Sequence, residues 1–281
     1  MQYFFVTGCP KSGTTWLQML LDAHPEVVCS GEGAFFERLF KPVAEVRASY
    51  NDYMTYANKA VYEGNGFYGQ MPFQDIQEPL RQIAIKFMTQ RAVAGTLAAG
   101  DKTPRHNLYL NSMLNFFPEA RFINIVRHPY DVAVSKLFHA ARVGRAQALD
   151  TGSEIQAKMV EEAGKSWTTA QQRVLEFKTK HPDLLVEVKY EDLIEHPLRE
   201  AARLFRHLGV CDKDETAQAA VDLSAFEKLS GGRSQGVADV KSFFRKGVAG
   251  DWKNVLTPEM ARLMNRHCEP LMLEYGYEVL A

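Results

Sequence analysis

Five short apolar runs, rich in β-branched and aromatic residues, predict buried strands at residues 3–7, 26–29, 96–101, 121–127 and 184–189. Helical patterns separate these runs. Leu17, Leu20 and Leu21 form one apolar face after the first run, and residues 160–177 form a long amphipathic stretch before the fifth. Strands that alternate with helices are typical of a parallel, doubly wound sheet. The pattern therefore predicts an α/β fold with about five parallel strands flanked by helices.

No internal repeat or low-complexity linker divides the chain, which predicts a single domain over residues 1–281 with a helical C-terminal third. Two segments depart from the alternating pattern. Residues 35–75 are rich in aromatic side chains and are interpreted either as a helical cover over a substrate site or as packing against the sheet. Residues 231–254 begin with a glycine-rich stretch that predicts a loop.

Composition excludes several classes of protein. The 33 Lys and Arg residues balance 34 Asp and Glu residues, so the net charge of −1 does not favour a nucleic-acid partner. No apolar run approaches the ~18 residues of a membrane helix, and the N-terminus reads as a strand and not as a signal peptide, which predicts a cytoplasmic protein. Four widely spaced cysteines without a CxxC pair predict free thiols and no metal site.

The first predicted strand leads into a glycine-bounded turn, GCPKSGTTW at residues 8–16, and then into a helix. Backbone N–H groups at such a helix start form an anion site, so the chain is predicted to have a P-loop-containing fold. Compared with GxxxxGK[ST], both glycines and Thr15 match, but Thr14 occupies the usual lysine position and the lysine has moved to Lys11. This displacement argues against a nucleoside-triphosphate enzyme.

The fourth predicted strand ends in Arg127, where a Mg²⁺-dependent kinase would place an acidic residue. Ser135 lies about two helical turns further on, on the side that faces back toward the strand. A guanidinium group together with a hydroxyl suits a phosphate monoester. With the first loop, this pair predicts a ligand that carries two separate phosphate-like groups.

At this point the sequence resembles the sulfotransferases that use 3′-phosphoadenosine 5′-phosphosulfate (PAPS). Three blocks carry the resemblance: PKSGTTW at residues 10–16, Arg127 with Ser135, and RKGVAGDWKN at residues 245–254. The resemblance implies that the 5′-phosphosulfate is held by Lys11, Ser12, Gly13, Thr14, Thr15 and Trp16, with Trp16 also near the adenine. It implies that the 3′-phosphate is held by Arg127, Ser135, Arg245, Lys246 and Gly247. Tyr190, after the fifth strand, is similar to the family's adenine-contacting tyrosine, although a packed tyrosine explains it equally well.

Sulfuryl transfer needs a cation near the leaving phosphate and a base for the acceptor proton. Lys11 suits the first role, and Lys102 is expected to position the sulfuryl group. The sequence DKTPRH at residues 101–106 has proline where cytosolic sulfotransferases have histidine, and this form resembles bacterial and carbohydrate sulfotransferases with a glutamate base. Glu32 is therefore the preferred base, with a pKa raised by burial against Phe35 and Phe36. His106 is the alternative.

These observations predict an enzyme that transfers the sulfuryl group of PAPS to a hydroxyl or amine by in-line displacement, without a metal ion. The expected acceptor is a small molecule, a lipid or a carbohydrate. Two other functions stay open on the sequence: a P-loop small-molecule kinase, and a nucleotide-binding protein without catalytic activity.

Overall fold

The computed structural model describes residues 1–281, and a five-stranded sheet lies at its centre. The strands are β1 (Gln2–Gly8), β2 (Val27–Gly31), β3 (Ala98–Lys102), β4 (Arg121–Val126) and β5 (Leu185–Lys189). They lie in the order β2-β3-β1-β4-β5, and every neighbouring pair is parallel. The predicted α/β fold with five parallel strands is confirmed.

Helices make the crossovers that parallel strands require. They are α1 (Thr14–Asp22), α2 (Lys41–Tyr56), α3 (Gln74–Met88), α4 (Leu110–Phe116), α5 (Pro129–Arg142), α6 (Glu154–Lys180), α7 (Tyr190–Glu195), α8 (Pro197–Leu208), α9 (Asp214–Leu223), α10 (Phe226–Leu229) and α11 (Pro258–Glu274). None of these helices combines the length and the apolar character that crossing a lipid bilayer demands.

Three hydrophobic clusters hold the helices on the sheet. One of them, between α5, α6 and α11, is centred on the fully buried Trp167. The Trp167 indole N–H donates a hydrogen bond of 2.9 Å to the carbonyl of Arg127. Burial of this ring therefore also fixes the backbone at the end of β4, where a ligand-binding arginine is predicted.

The aromatic segment 35–75 divides into two parts. Phe35, Phe36 and Phe40 are buried with the sheet residue Phe5 in the third hydrophobic cluster. From Tyr50 to Tyr68 the aromatic side chains are exposed, as the 63% exposure of Tyr53 shows, whereas Phe73 packs against Phe116 of the core. The two ends of the segment therefore contact the core, and its middle carries exposed rings.

Candidate active site

A cavity of about 700 Å³ opens at the carboxyl ends of the strands. It brings together eleven of the residues predicted from sequence: Lys11, Gly13, Thr14, Thr15, Trp16, Glu32, Arg127, Ser135, Tyr190, Arg245 and Lys246. The other four, Ser12, Lys102, His106 and Gly247, do not line this cavity. From the aromatic segment only Glu37 and Arg38 reach it, so Tyr53 and Tyr56 do not line it. The role of the segment as a cover stays a prediction.

The loop between β1 and α1 has an unusual backbone. Lys11 has φ 82°, a left-handed conformation that costs a non-glycine residue energy and is typical of functional sites. Gly13 has φ 97°, and a Cβ atom there would lie 2.6 Å from Cδ2 of Tyr190. No side chain caps α1, whose first N–H groups lack partners within the helix. The loop thus offers backbone donors to an anion.

The Lys11 ammonium group lies 5.5 Å from the centre of the Phe243 ring. Burial, together with the positive charge of Arg142, lowers the pKa of Lys11 to about 8. An ammonium group in such surroundings gains more from an incoming anion than an exposed one does.

Lys102 and Glu32 form an ion pair of 2.7 Å between Nζ and Oε1. The Lys102 side chain is only 3% exposed, whereas that of Glu32 is 61% exposed. The expectation that Phe35 and Phe36 bury this carboxylate is wrong, because both rings pack into the core. The lysine therefore orients Glu32 from beneath, and the carboxylate faces the cavity.

A buried carboxylate holds the loop that carries Glu32. Asp101, at the end of β3, accepts hydrogen bonds of 2.8 Å from the Gly33 N–H and from the Thr103 hydroxyl. The Thr103 oxygen in turn accepts a bond of 3.2 Å from the Ala34 N–H. No sequence motif marks either residue for this role, since only the pairing of β2 with β3 brings them beside the loop.

His106 lies in the core. It is 1% exposed, and the rings of Phe5 and Phe36 meet it edge to face at 5.4 and 6.0 Å between centroids. Burial lowers its pKa to about 3. Its Nε2 is 3.4 Å from Asp101 but forms no hydrogen bond. The imidazole therefore has no access to an acceptor in the cavity.

Arg127 is held at the end of β4 by its own protein contacts. Its guanidinium donates to the carbonyls of Val248 at 2.9 Å and Lys11 at 3.4 Å, and it stacks on the Tyr190 ring at 4.2 Å from the centroid. The buried Nε of Arg127 and the buried Oγ of Ser12 have no hydrogen-bond partner in the protein. Buried polar groups are rarely left unpaired, so these atoms indicate a ligand site.

Two carboxylates hold the predicted loop after residue 231, one within the loop itself and one on α5. Asp251 pairs with the guanidinium of Arg245 and with the Lys246 ammonium group at 2.5 Å. Burial opposes the charge on Asp251, but these two cations outweigh it and lower the pKa of the carboxyl. Asp131, in the first turn of α5, accepts from the N–H groups of Gly250 and Trp252 at 2.8 and 2.9 Å.

A second cavity, about 200 Å³ in volume, adjoins the first behind Trp16 and Tyr190. It is mainly apolar, and Phe226, Ser224 and Gly247 line it. The Trp16 indole N–H donates to the Ser224 carbonyl at 3.0 Å, which fixes the ring as one wall. This cavity suits a flat aromatic base. The sequence does not reveal this cavity, because Ser224 and Phe226 belong to no recognisable motif.

Comparison with known proteins identifies the family to which this chain belongs. A family model described as "Sulfotransferase family" matches residues 4–214. The chain belongs to the sulfotransferase family. The matched part of this sulfotransferase family member includes the β1–α1 loop, Glu32, Lys102, Arg127 and Tyr190. The family expected from the sequence is thereby confirmed.

Relatives of this sulfotransferase family member come from bacteria and animals. The nodulation protein NoeE of Sinorhizobium fredii is 25% identical over 98% of this chain and 65% of its own length. Dog sulfotransferase 1A1 is 28% identical over 50% of each chain. The omega-hydroxy-beta-dihydromenaquinone-9 sulfotransferase Stf3 of Mycobacterium bovis is 27% identical over 63% of this chain and 40% of its own. This chain thus spans less than two thirds of each of these relatives.

Solved structures share the fold. Mouse sulfotransferase SULT7A1, complexed with PAP, has a TM-score of 0.60 at 18% identity and matches 98% of this chain and 85% of its own. The sulfotransferase domain from the curacin biosynthetic pathway has a TM-score of 0.54, also at 18% identity, and matches 99% and 98%. The overall fold of this chain is therefore shared with these sulfotransferase structures.

Proposed function

We propose that this protein transfers the sulfuryl group of PAPS to a hydroxyl or amine acceptor. One observation carries the proposal: a single cavity is lined by Lys11 on a left-handed backbone, by Glu32, which the buried Lys102 pairs with, and by a second cationic group around Arg127. Two cationic centres match the two phosphate positions of PAPS, and a carboxylate faces the same cavity. Membership of the sulfotransferase family supports this reading of the geometry.

The residues present fit the donor. The unpaired Ser12 Oγ and Arg127 Nε provide donors for phosphate oxygens, and the missing Cβ of Gly13 leaves room for the Tyr190 ring against the loop. In our proposal the loop from Lys11 to Trp16 holds the 5′-phosphosulfate, and the adenine lies in the apolar cavity behind Trp16 and Tyr190. The 3′-phosphate is held by Arg127, Ser135, Arg245, Lys246 and the backbone at Gly247.

When bound, PAPS supplies the sulfuryl group, whose bond to the 5′-phosphate oxygen breaks as a bond to the acceptor oxygen or nitrogen forms. Lys11 stabilises the negative charge that develops on the leaving phosphate, and its half-buried position strengthens this interaction. Lys102 holds the carboxylate of Glu32 in place through the 2.7 Å contact.

Glu32 accepts the acceptor's proton in this proposal. Its carboxylate faces the cavity, as a general base must to reach the attacking group. His106 is enclosed by Phe5 and Phe36 and has no such access, so we prefer Glu32.

The experiment that tests the proposal measures the binding of PAP and of Mg·ATP calorimetrically, followed by an acceptor screen with labelled PAPS. We expect PAP to bind in EDTA and labelled sulfate to appear on at least one acceptor. Preference for Mg·ATP would favour the kinase. PAP binding without transfer to any hydroxyl or amine would favour a nucleotide-binding protein without catalytic activity.

A further inference from the structure

One wall of the cavity carries positive charge beyond what the donor's phosphates use. It is formed by the last two turns of α5, where Lys136 and His139 line the main cavity, and Arg142 lines a small separate pocket beside Phe243 that shares Lys11, Ser135 and His139 with it. We call Lys136, His139 and Arg142 the α5 basic wall. None of these side chains forms an ion pair with a carboxylate: Lys136 donates to the Ser166 hydroxyl at 2.5 Å, and Arg142 donates to His139 at 3.1 Å.

The other cations of the site are balanced differently. Lys102 is paired with Glu32, Arg127 lies 3.5 Å from Asp131, and Arg245 and Lys246 share Asp251. Arg127, Arg245 and Lys246 also belong to the proposed donor site, and Lys102 holds the proposed base. The α5 basic wall belongs to neither the donor site nor an internal ion pair, so its charge is available to another anion.

The side chains of the α5 basic wall lie toward the part of the cavity around Lys11. Ser135, His139 and Arg142 are spaced by four and three residues, so they lie on one face of α5. Arg142 and Lys11 both lie near the Phe243 ring, with Cζ and Nζ at 5.7 and 5.5 Å from its centroid. This face of α5 therefore extends from the proposed 3′-phosphate site to the region around Lys11, where sulfuryl transfer is proposed to take place.

His139 adds a directed hydrogen-bond donor. Because a guanidinium has no acceptor atom, the contact with Arg142 makes His139 Nδ1 the acceptor. Burial and the charges of Lys11 and Arg142 lower the pKa of His139, which favours the neutral ring at pH 7. A neutral imidazole that accepts at Nδ1 carries its proton on Nε2 and can donate it to a ligand.

The remaining lining is polar. Only five of the 22 residues around the cavity are hydrophobic, and Arg38 and Arg105 lie with Glu37 on the side of Glu32. Such a lining gives little area for an aryl or acyl chain and many donors for oxygen atoms. An acceptor rich in oxygen fits it better than an apolar one.

We propose that the acceptor carries an anionic group, a carboxylate, sulfate or phosphate, that binds Arg142 and His139 of the α5 basic wall while its hydroxyl or amine faces Glu32. This inference rests on the proposed sulfuryl transfer and names its substrate class. It adds no chemical step, since the sulfuryl group still moves to the acceptor and the acceptor proton to Glu32.

The test titrates the PAP-saturated protein, at constant ionic strength, with matched compounds that differ in one anionic group: glucose with glucose 6-phosphate, and 4-hydroxybenzyl alcohol with 4-hydroxybenzoate. Saturation with PAP keeps the anion out of the donor site. We expect the anionic member to bind at least ~10-fold more tightly, as a charge-assisted hydrogen bond provides, and Arg142→Gln to abolish that difference. Labelled PAPS then checks that the tighter-binding compounds are sulfated.

Arg145→Gln is the matched control, because this exposed arginine lies just beyond α5 and outside the cavity. It should leave the preference for the anion intact, and both variants should bind PAP within ~2-fold of the wild type. Equal or tighter binding of the neutral members, no binding of any anionic member, or a preference that survives Arg142→Gln would overturn the inference. Failure of the wild type to bind PAP would instead overturn the proposed function.

Discussion

At the scale of single residues, the site depends on two lysines in different surroundings. Lys11 stands free in the cavity with a pKa lowered to about 8 by burial and by Arg142, whereas Lys102 is buried and paired with Glu32. The free lysine suits charge that develops during the reaction, and the paired lysine suits the orientation of a base. The two roles predict different effects on the reaction and can therefore be tested separately.

The first expectation concerns the pH dependence of Lys11. Only the protonated amine stabilises a leaving phosphate, so kcat/KM for PAPS should fall as the pH rises through about 8. Lys11→Arg should shift that fall to higher pH, and Lys11→Ala should lower kcat by about 100-fold. A profile that is flat to pH 10 in the wild type would remove Lys11 from this role.

The second expectation separates Glu32 from His106. Glu32→Gln keeps the shape but loses the basicity, so kcat should fall at least ~100-fold while PAP affinity changes little. His106→Phe replaces a buried ring and should change the melting temperature more than kcat. Steady-state kinetics and calorimetry on both variants decide the matter, and loss of kcat in His106→Phe alone would assign the base to His106.

At the scale of elements, loops are positioned by carboxylates at the ends of neighbouring strands and helices. Asp101 and Thr103 of the β3 end hold the backbone after Glu32, and Asp131 of α5 holds residues 250 and 252. The glycine of the β1–α1 loop allows Tyr190 to pack against it. These contacts set the geometry of the loops around the cavity.

The third expectation tests the loop after Glu32. Thr103→Val keeps the volume but removes the hydroxyl that links Ala34 to Asp101, so the carboxylate should lose its fixed position. We expect kcat to fall about 10-fold with PAP affinity unchanged. Thr179→Val, on the exposed side of α6, is the control. Equal kinetics for both variants would show that the hydroxyl is dispensable.

The fourth expectation uses two glycines with the same φ angle. Gly13 and Gly95 both have φ 97°, but a Cβ at Gly13 would collide with Tyr190, whereas nothing lies within 4 Å of one at Gly95. Gly95→Ala should therefore cost only the strain of about 1 kcal/mol, measured by denaturation. Gly13→Ala should in addition weaken PAP binding at least ~10-fold by calorimetry, and an unchanged affinity would contradict the proposed packing.

At the scale of the whole molecule, the proposed donor site lies between loops of the N-terminal half of the chain and the loop of residues 231–254. Residues 245–247 lie beside the loops that follow β1 and β4. Arg127, which follows β4, donates a hydrogen bond to the carbonyl of Val248, next to these residues. A donor molecule bound between these segments would stabilise the folded position of the loop of residues 231–254.

The fifth expectation follows from this arrangement. The loop before Gly247 contains Arg233, Lys241, Arg245 and Lys246, which are sites for trypsin. Saturating PAP should slow cleavage there several-fold, as read by mass spectrometry of the fragments, because bound donor reduces opening of the loop. Cleavage at the exposed Lys59 should serve as the internal control and stay at its original rate. Equal protection at both places would indicate a global effect instead.

The sequence alone determined the sheet, the glycine-bounded loop after β1 and the family. Period-2 and period-3.6 patterns arise from backbone geometry that is local in the chain, so the five strands were found within two residues of their ends. The same holds for Gly8 to Trp16, where strand, turn and helix start follow one another directly.

Only the tertiary structure decided which side chains have access to the cavity. His106 and Phe36 look like site residues beside Lys102 and Glu32, yet both are buried, and Glu32 is exposed against expectation. The apolar cavity around Ser224 and the pairing of Asp251 with Arg245 join parts of the chain that no local pattern links. Burial and pairing depend on which helices pack on which strand ends, and this is fixed by contacts between residues far apart in the sequence.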